Sequence, residues 1–317
     1  MTTKQKLLLA LDRTAVLFIG LSVGGIVGAA LFGGGSDGGA PAAQAGTPSP
    51  TLASAGIPAA TPSQANVLSG EPGPRLVRTA QQGGIVHVGV FGDSFGDGIH
   101  AGLYEQLPSA DGIVIHKSSR QGTGFTRYRT TDLLEDTRHR LAAQPVDIAV
   151  LSFGANDTQG IYFEGHGAPF MSERWQQIVS QRVGAIVALL RQEGAMVYWV
   201  GLPTMRDPAY NAQIQQMNHF YAERMAALGV PFVDTAGPTR GANGGYEPTM
   251  RNPRTGERFM ARVGDGIHMT IPGYLALTRG LTADIERAIA TARSRSGRAP
   301  AVRNATQQGA GGARSTI

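Results

Sequence analysis

Three short runs in this chain carry residue types that could do acyl chemistry together. The first is Val90-Phe91-Gly92-Asp93-Ser94-Phe95-Gly96-Asp97-Gly98, with a serine on a turn. The second, Gly154-Ala155-Asn156-Asp157, ends an apolar run, and the third is Asp265-Gly266-Ile267-His268. A serine hydroxyl attacks a carbonyl carbon only when a base removes its proton, and the third run offers one. An aspartate three residues before a histidine can accept from the imidazole Nδ1–H across a turn. This fixes the tautomer whose Nε2 is free to take the proton of Ser94. Read this way, Ser94 is the nucleophile, His268 the base and then the acid, and Asp265 the group that orients it. The Ser94 N–H, on a turn at a sheet edge, can also help to hold an oxyanion. Taken singly the runs are ordinary, since Gly and Asp are common turn residues. Their combination and order carry the reading.

The elements around these runs must hold them at one place. The β-branched run Ile85–Phe91 is short enough for a buried strand, and Gly96–Leu107 reads as the helix after it. Further strand-like runs fall at Gly112–His116, Val146–Phe153, Ala195–Leu202 and Val230–Val233. Helical stretches lie between them, clearest at Ser172–Gln192 and Asn211–Leu228, with Gly194 and Gly229 placed for left-handed caps. Alternating strand and helix predicts an α/β domain over residues 83–292, with a five-stranded parallel sheet covered on both faces. Open sheets of this kind put their chemistry at the carboxyl ends of the strands, where Ser94 and Asn156 fall.

The runs around Ser94, Gly154, Asn156 and His268, in that order, resemble the SGNH (GDSL-type) hydrolase superfamily. With Tyr198-Trp199-Val200-Gly201-Leu202-Pro203 and Val233-Asp234-Thr235 they are similar to a bacterial cell-envelope branch of it. The resemblance implies a flavodoxin-like three-layer fold and a serine esterase without cofactor or metal. It implies that Asn156 turns its amide, and a glycine of His116–Phe125 its N–H, toward the oxyanion. Gly122 and Gly124 both qualify, and Gly124, before an aromatic residue, is preferred. Gly154 would let the backbone approach substrate closely. Arg206 is open to two readings, a contact to an anionic or sugar substrate or a surface residue. Asp93 is expected to fix the nucleophile turn and Asp157 to cap the turn after it. His116, at a strand end, reads as structural or exposed. Phe95 stands where the usual Gly-Asp-Ser-Leu phrase has leucine, a change expected to alter packing beneath the nucleophile.

Composition narrows the remaining classes. There is no cysteine, which excludes disulfides, thiolate nucleophiles and cysteine-held zinc, and no His-x-x-x-His spacing suggests another metal site. The net charge of +5 owes much to arginines near the carboxyl terminus. With no aromatic residues among them, residues 293–317 read as a solvated basic tail rather than a nucleic-acid arm.

Ala15–Phe32 is uncharged over about 18 residues, just enough to cross a bilayer core. Lys4, Lys6 and Arg13 precede it and no Lys or Arg follows before Arg75. This predicts residues 1–14 in the cytoplasm, a single anchor at 15–32 in a bacterial inner membrane, and the catalytic domain on the periplasmic side. A cleaved signal peptide ending near Ala43-Gln44-Ala45 is the competing reading. Residues 33–82, rich in Gly, Ala, Pro, Ser and Thr, are expected to be a disordered linker reaching roughly 40 Å. Such a placement favours acyl esters, acetyl above all, on polysaccharide or peptidoglycan, with lipids and small acyl esters also open. The same residues would serve an O-acyltransferase, and a non-catalytic polysaccharide-binding or scaffold protein is the rival from another class.

Overall fold

The computed structural model describes residues 71–295 apart from Pro108 and Arg129. The expected anchor at 15–32, most of the linker and most of the basic tail lie outside the described residues. No helix among the described residues is long and apolar enough to cross a membrane.

The chain runs α1 (Pro74–Gln82), β1 (Val86–Gly92), α2 (Ser94–Gln106), β2 (Ile113–Lys117), α3 (Leu133–Ala143), β3 (Ile148–Ser152), β4 (Ile161–Phe163), β5 (His166–Ala168), α4 (Glu173–Gln192), β6 (Met196–Val200), α5 (Pro208–Leu228), β7 (Phe232–Val233), β8 (Thr249–Arg251), β9 (Arg258–Met260) and α6 (Ile271–Arg295). Strands β2, β1, β3, β6 and β7 form, in that order, one sheet whose neighbours are all parallel. This is the flavodoxin-like order, because β4–β5 and β8–β9 are separate antiparallel hairpins.

Strand periodicity assigns the two faces. Val86, Val88 and Val90 of β1 join Ile148, Val150, Met196 and Tyr198 in one core, with Leu76 of α1, Ile99 and Leu103 of α2, and Leu281 and Ile285 of α6. Phe91, Ala149, Leu151, Val197 and Trp199 face the other core, with Leu141 of α3, Trp175 and Val183 of α4, and Tyr221 of α5. Because alternate residues of a strand point to opposite faces, the central strands β1, β3 and β6 each serve both cores. Helices α2 and α6 approach closely: a Cβ on Gly98 would lie 1.9 Å from the ring of Tyr274, and one on Gly102 2.6 Å from Thr278 Oγ1. Helix ends are set locally. Asp132, Ser172 and Asp207 accept from the first-turn amides of α3, α4 and α5, and Gly194 and Gly229 take φ of 82° and 60° as expected.

Two boundaries are corrected. The expected linker end at 82 falls within the domain, since residues 74–82 form α1. Leu76 there is fully buried, Thr79 Oγ1 donates to Asp147 at 2.6 Å, and Arg75 N–H donates to Gly194 O at 3.1 Å. Pro74 at the first helical position and Gly83 in the left-handed conformation after its end bound the helix. The expected tail start at 293 likewise moves, because α6 continues to Arg295. Leu76→Ala in the full-length chain is expected to cost about 3 kcal/mol, as for other buried leucines. Urea unfolding measures it, and unchanged stability would separate α1 from the core.

Residues 237–263 are rich in Gly, Pro, Asn and Arg, a composition that by itself predicts a long active-site loop or lid, yet the stretch contains ordered elements. They hold a 3-10 turn at Gly237–Thr239, an Arg240–Tyr246 bridge and the β8–β9 hairpin, and they end against the loop that carries His268.

Candidate active site

The nucleophile turn is built from β1 outward. Gly92 ends the strand where a Cβ would fall 2.3 Å from Ser152 O, so no side chain fits there. Asp93 then caps α2 by accepting from Phe95 N–H at 2.9 Å, as expected of it. Ser94 begins the helix at the carboxyl end of the sheet, half-buried, with its N–H unpartnered among the described residues.

Ser94 Oγ lies 2.8 Å from His268 Nε2, and His268 Nδ1 lies 2.7 Å from Asp265 Oδ2. The other carboxylate oxygen, Oδ1, accepts from Ile267 N–H at 2.8 Å and His268 N–H at 3.0 Å. Partial burial opposes ionisation of Asp265, but the bonds from the imidazole and the two amides outweigh it and hold the carboxyl at about 2. An anion fixed at three points can therefore hold the imidazole in one orientation and tautomer.

The loop after β3 brings the second run to the same edge. Asn156 Nδ2 donates to Thr123 O at 3.0 Å and to Asp93 Oδ2 at 3.3 Å. The sites expected from the first, second and third runs are thus brought together, including the loop after β2. Of its two glycines, Gly122 is exposed with φ of 72°, whereas Gly124 is buried against Asp157 with its N–H unpartnered among the described residues.

A family model described as a protein of unknown function, DUF459, matches residues 87–284, more than half of the chain. The chain belongs to the DUF459 family. The matched segment holds every site residue named above. No curated protein matches the chain. Among solved structures, a GDSL-like lipase from Bacteroides thetaiotaomicron is 19% identical, covering 65% of this chain and 88% of its own, with a TM-score of 0.44. A member of the lipolytic G-D-S-L family from Veillonella parvula is 13% identical, covering 64% and 99%, with a TM-score of 0.45. The periplasmic domain of a lipopolysaccharide acetyltransferase from Salmonella ser. Paratyphi A is 10% identical, covering 67% and 88%, with a TM-score of 0.46. In its own sheet order and in the residues gathered at the sheet edge, this DUF459 chain has the arrangement that the resemblance to SGNH hydrolases implies.

The DUF459 structure gives several of the expected groups further partners. Gly154 serves core packing through its missing side chain. Its φ is 123°, and the space of its missing Cβ is taken by Tyr221 and Met217 of the core. Arg206 is exposed but not an idle surface group: its Nη1 donates to Gly264 O at 2.9 Å and its Nη2 to Asp265 O at 3.0 Å. Asp157 does not cap its own turn. It reaches back to Thr126, accepting from both its N–H and its Oγ1 at 2.8 Å, and so ties the loop after β2 to the loop after β3. His116 pairs with His87 at 2.8 Å, in keeping with a structural role.

Other contacts lie outside the sequence reading. Phe95 does more than fill space, since its buried ring stacks on the His268 imidazole with centroids 5.2 Å apart. Tyr210 Oη donates to Ala155 O at 2.7 Å, steadying the Asn156 loop. Arg262 lies buried beneath the His268 loop. The phenylalanine in place of leucine was the only local sign of any of these.

Asp93 and Asp157 are both buried, Asp93 beside the Asn156 amide and Asp157 against Gly124. Burial pushes the Asp93 carboxyl up to about 7 against the opposing Phe95 N–H, and neighbouring Asp157 adds to the rise. Burial also raises Asp157, opposed by its bonds from Thr126. From the ordinary 3.8 to about 7, the folded chain keeps an Asp93 proton that the unfolded chain has released. Stability should therefore fall as pH rises through that window and level off above it. Asp93→Asn is expected to flatten the slope in part, Asp157 supplying the rest. Urea unfolding from pH 4 to 8 checks this, and identical slopes in the two proteins would refute it.

Proposed function

We propose that this protein is a serine esterase that removes acyl groups, acetyl above all, from hydroxyls of a cell-envelope saccharide. One observation carries the reading: the unbroken chain from Ser94 Oγ to His268 Nε2 and from His268 Nδ1 to Asp265, at the carboxyl edge of a parallel sheet. Ser94 Oγ gives its proton to Nε2 and bonds to the ester carbon, whose carbonyl electrons move onto oxygen. The tetrahedral intermediate collapses as the imidazolium passes that proton to the leaving alcohol, which leaves the acyl group on Ser94. Water then repeats the cycle, with His268 taking its proton and returning it to Ser94 Oγ as the acid departs.

The N–H groups of Ser94 and Gly124 are the first oxyanion donors. Asn156 Nδ2 becomes the third by exchanging its longer bond, to Asp93, for the substrate oxygen. Donors of this kind contribute about 3 kcal/mol each to the transition state. His268 and Asp265 are each about two-fifths exposed, with side-chain accessibilities of 37% and 41%, so a bulky acylated saccharide can approach from solvent. The uncharged Ala15–Phe32 run supports an envelope placement, with the domain outside the cytoplasmic membrane.

The test is trapping of the acyl-enzyme. Full-length protein mixed with p-nitrophenyl acetate and quenched in acid should carry an acetyl mass on the peptide containing Ser94, with matching release of nitrophenolate. No turnover and no adduct would overturn the reading.

A further inference from the structure

The loop that carries Asp265 and His268 is exposed, yet its backbone carbonyls are all engaged. Arg206, in the segment after β6, donates Nη1 to Gly264 O at 2.9 Å, Nη2 to Asp265 O at 3.0 Å and its own N–H to Gly266 O at 3.0 Å. From the buried side, Arg262 Nη2 donates to Ile267 O at 2.9 Å and, more weakly, to Gly266 O at 3.4 Å. His268 O accepts from Val263 N–H at 3.1 Å. Five consecutive carbonyls are thus bound, four of them by two arginine residues on opposite sides of the loop. Gly266 is where the two meet. Its φ is 74°, and a Cβ there would fall 2.5 Å from the Arg206 Cβ.

Arg262 is the more telling of the pair. It is 3% exposed, and among the described residues no carboxylate lies within ion-pair distance. Its charge is met instead by Thr204 O at 2.7 Å, Met269 Sδ at 3.0 Å and the face of Tyr246, 5.1 Å away. Burying a guanidinium without a counter-ion is costly, and carbonyl dipoles repay it only when held in place. The same bonds that solvate the cation therefore fix the loop. A planar fork with five donors can bridge successive carbonyls in this way, which a lysine cannot.

We infer that Arg206 and Arg262 form a two-sided clamp that positions His268 and Asp265 for the Ser94 proton transfer. Both are positioning residues, since neither contacts Ser94 or the imidazole. The inference rests on the Ser94–His268–Asp265 reading, and its test separates the two. In full-length protein, the Nδ1–H shared by His268 and Asp265 should give a far-downfield proton resonance whether or not any ester is cleaved. Arg206→Ala should broaden or abolish that resonance and lower kcat for p-nitrophenyl acetate about 10- to 100-fold, with KM changed less than about twofold. Its melting temperature should stay within about 2 °C of wild type, as for an exposed side chain. Arg262→Met, which fills similar volume without charge, should act alike on the resonance and on kcat where it folds. A sharp resonance and wild-type kcat in Arg206→Ala would overturn the clamp. A resonance lost in that variant, in a protein whose wild type shows no serine-dependent turnover, would support the clamp and refute the esterase.

Discussion

Ser94→Ala is expected to lower kcat about 10⁶-fold, to the level left by binding and oxyanion donors alone. The loss is chemical because the variant removes little else. Among the described residues Ser94 Oγ makes one hydrogen bond, with His268 Nε2 at 2.8 Å, while the cap of α2 is Asp93. Alanine at the first helical position keeps helix propensity and leaves the Asp93–Phe95 bond in place. The melting temperature should therefore move by no more than about 2 °C. Steady-state hydrolysis of p-nitrophenyl acetate beside a thermal melt separates chemistry from folding. Residual activity above about a thousandth of wild type would place the nucleophile elsewhere.

Asp265→Asn is the next largest effect, about 10³- to 10⁴-fold in kcat with KM little changed. The amide oxygen of the variant can keep the bonds that Oδ1 accepts from Ile267 and His268 N–H. Its NH₂ then takes the place of Oδ2 beside His268 Nδ1. Donor against donor is relieved only if the imidazole moves its proton to Nε2, and that tautomer cannot accept from Ser94 Oγ–H. The damage is to protonation, with geometry preserved, so it is smaller than loss of the nucleophile. Because the three groups act as one unit, the double variant with Ser94→Ala should be no slower than Ser94→Ala alone. Wild-type kcat in Asp265→Asn would remove Asp265 from the mechanism.

Much of the site was legible because its parts obey local rules. Ser94 sits on a turn that ends an apolar strand, and Asp265 reaches His268 across three residues. Both relations are encoded within a few positions of chain. The sheet was legible for the same reason, from short β-branched runs spaced by helices. The helix Pro74–Gln82 escaped because it follows a Pro- and Gly-rich stretch, and its burial depends on distant Asp147 and Gly194. Its Pro74 start and Gly83 stop were the signals available.

The chain by itself determined the residue types, their order and the α/β alternation that carries Ser94 and Asn156 to one sheet edge. Hydrophobic period and turn chemistry act over a few residues and need no partner from afar. Only the tertiary structure decided how those groups are supported. Arg262 reads in sequence as one more polar residue of a loop, and becomes a buried cation once Thr204 and Ile267 carbonyls close on it. Asp157 grips Thr126, 31 positions earlier, and Phe95 lies on His268 only because α2 and the α6 entrance meet. Those contacts join residues far apart in the chain, and no local propensity specifies which distant group will arrive.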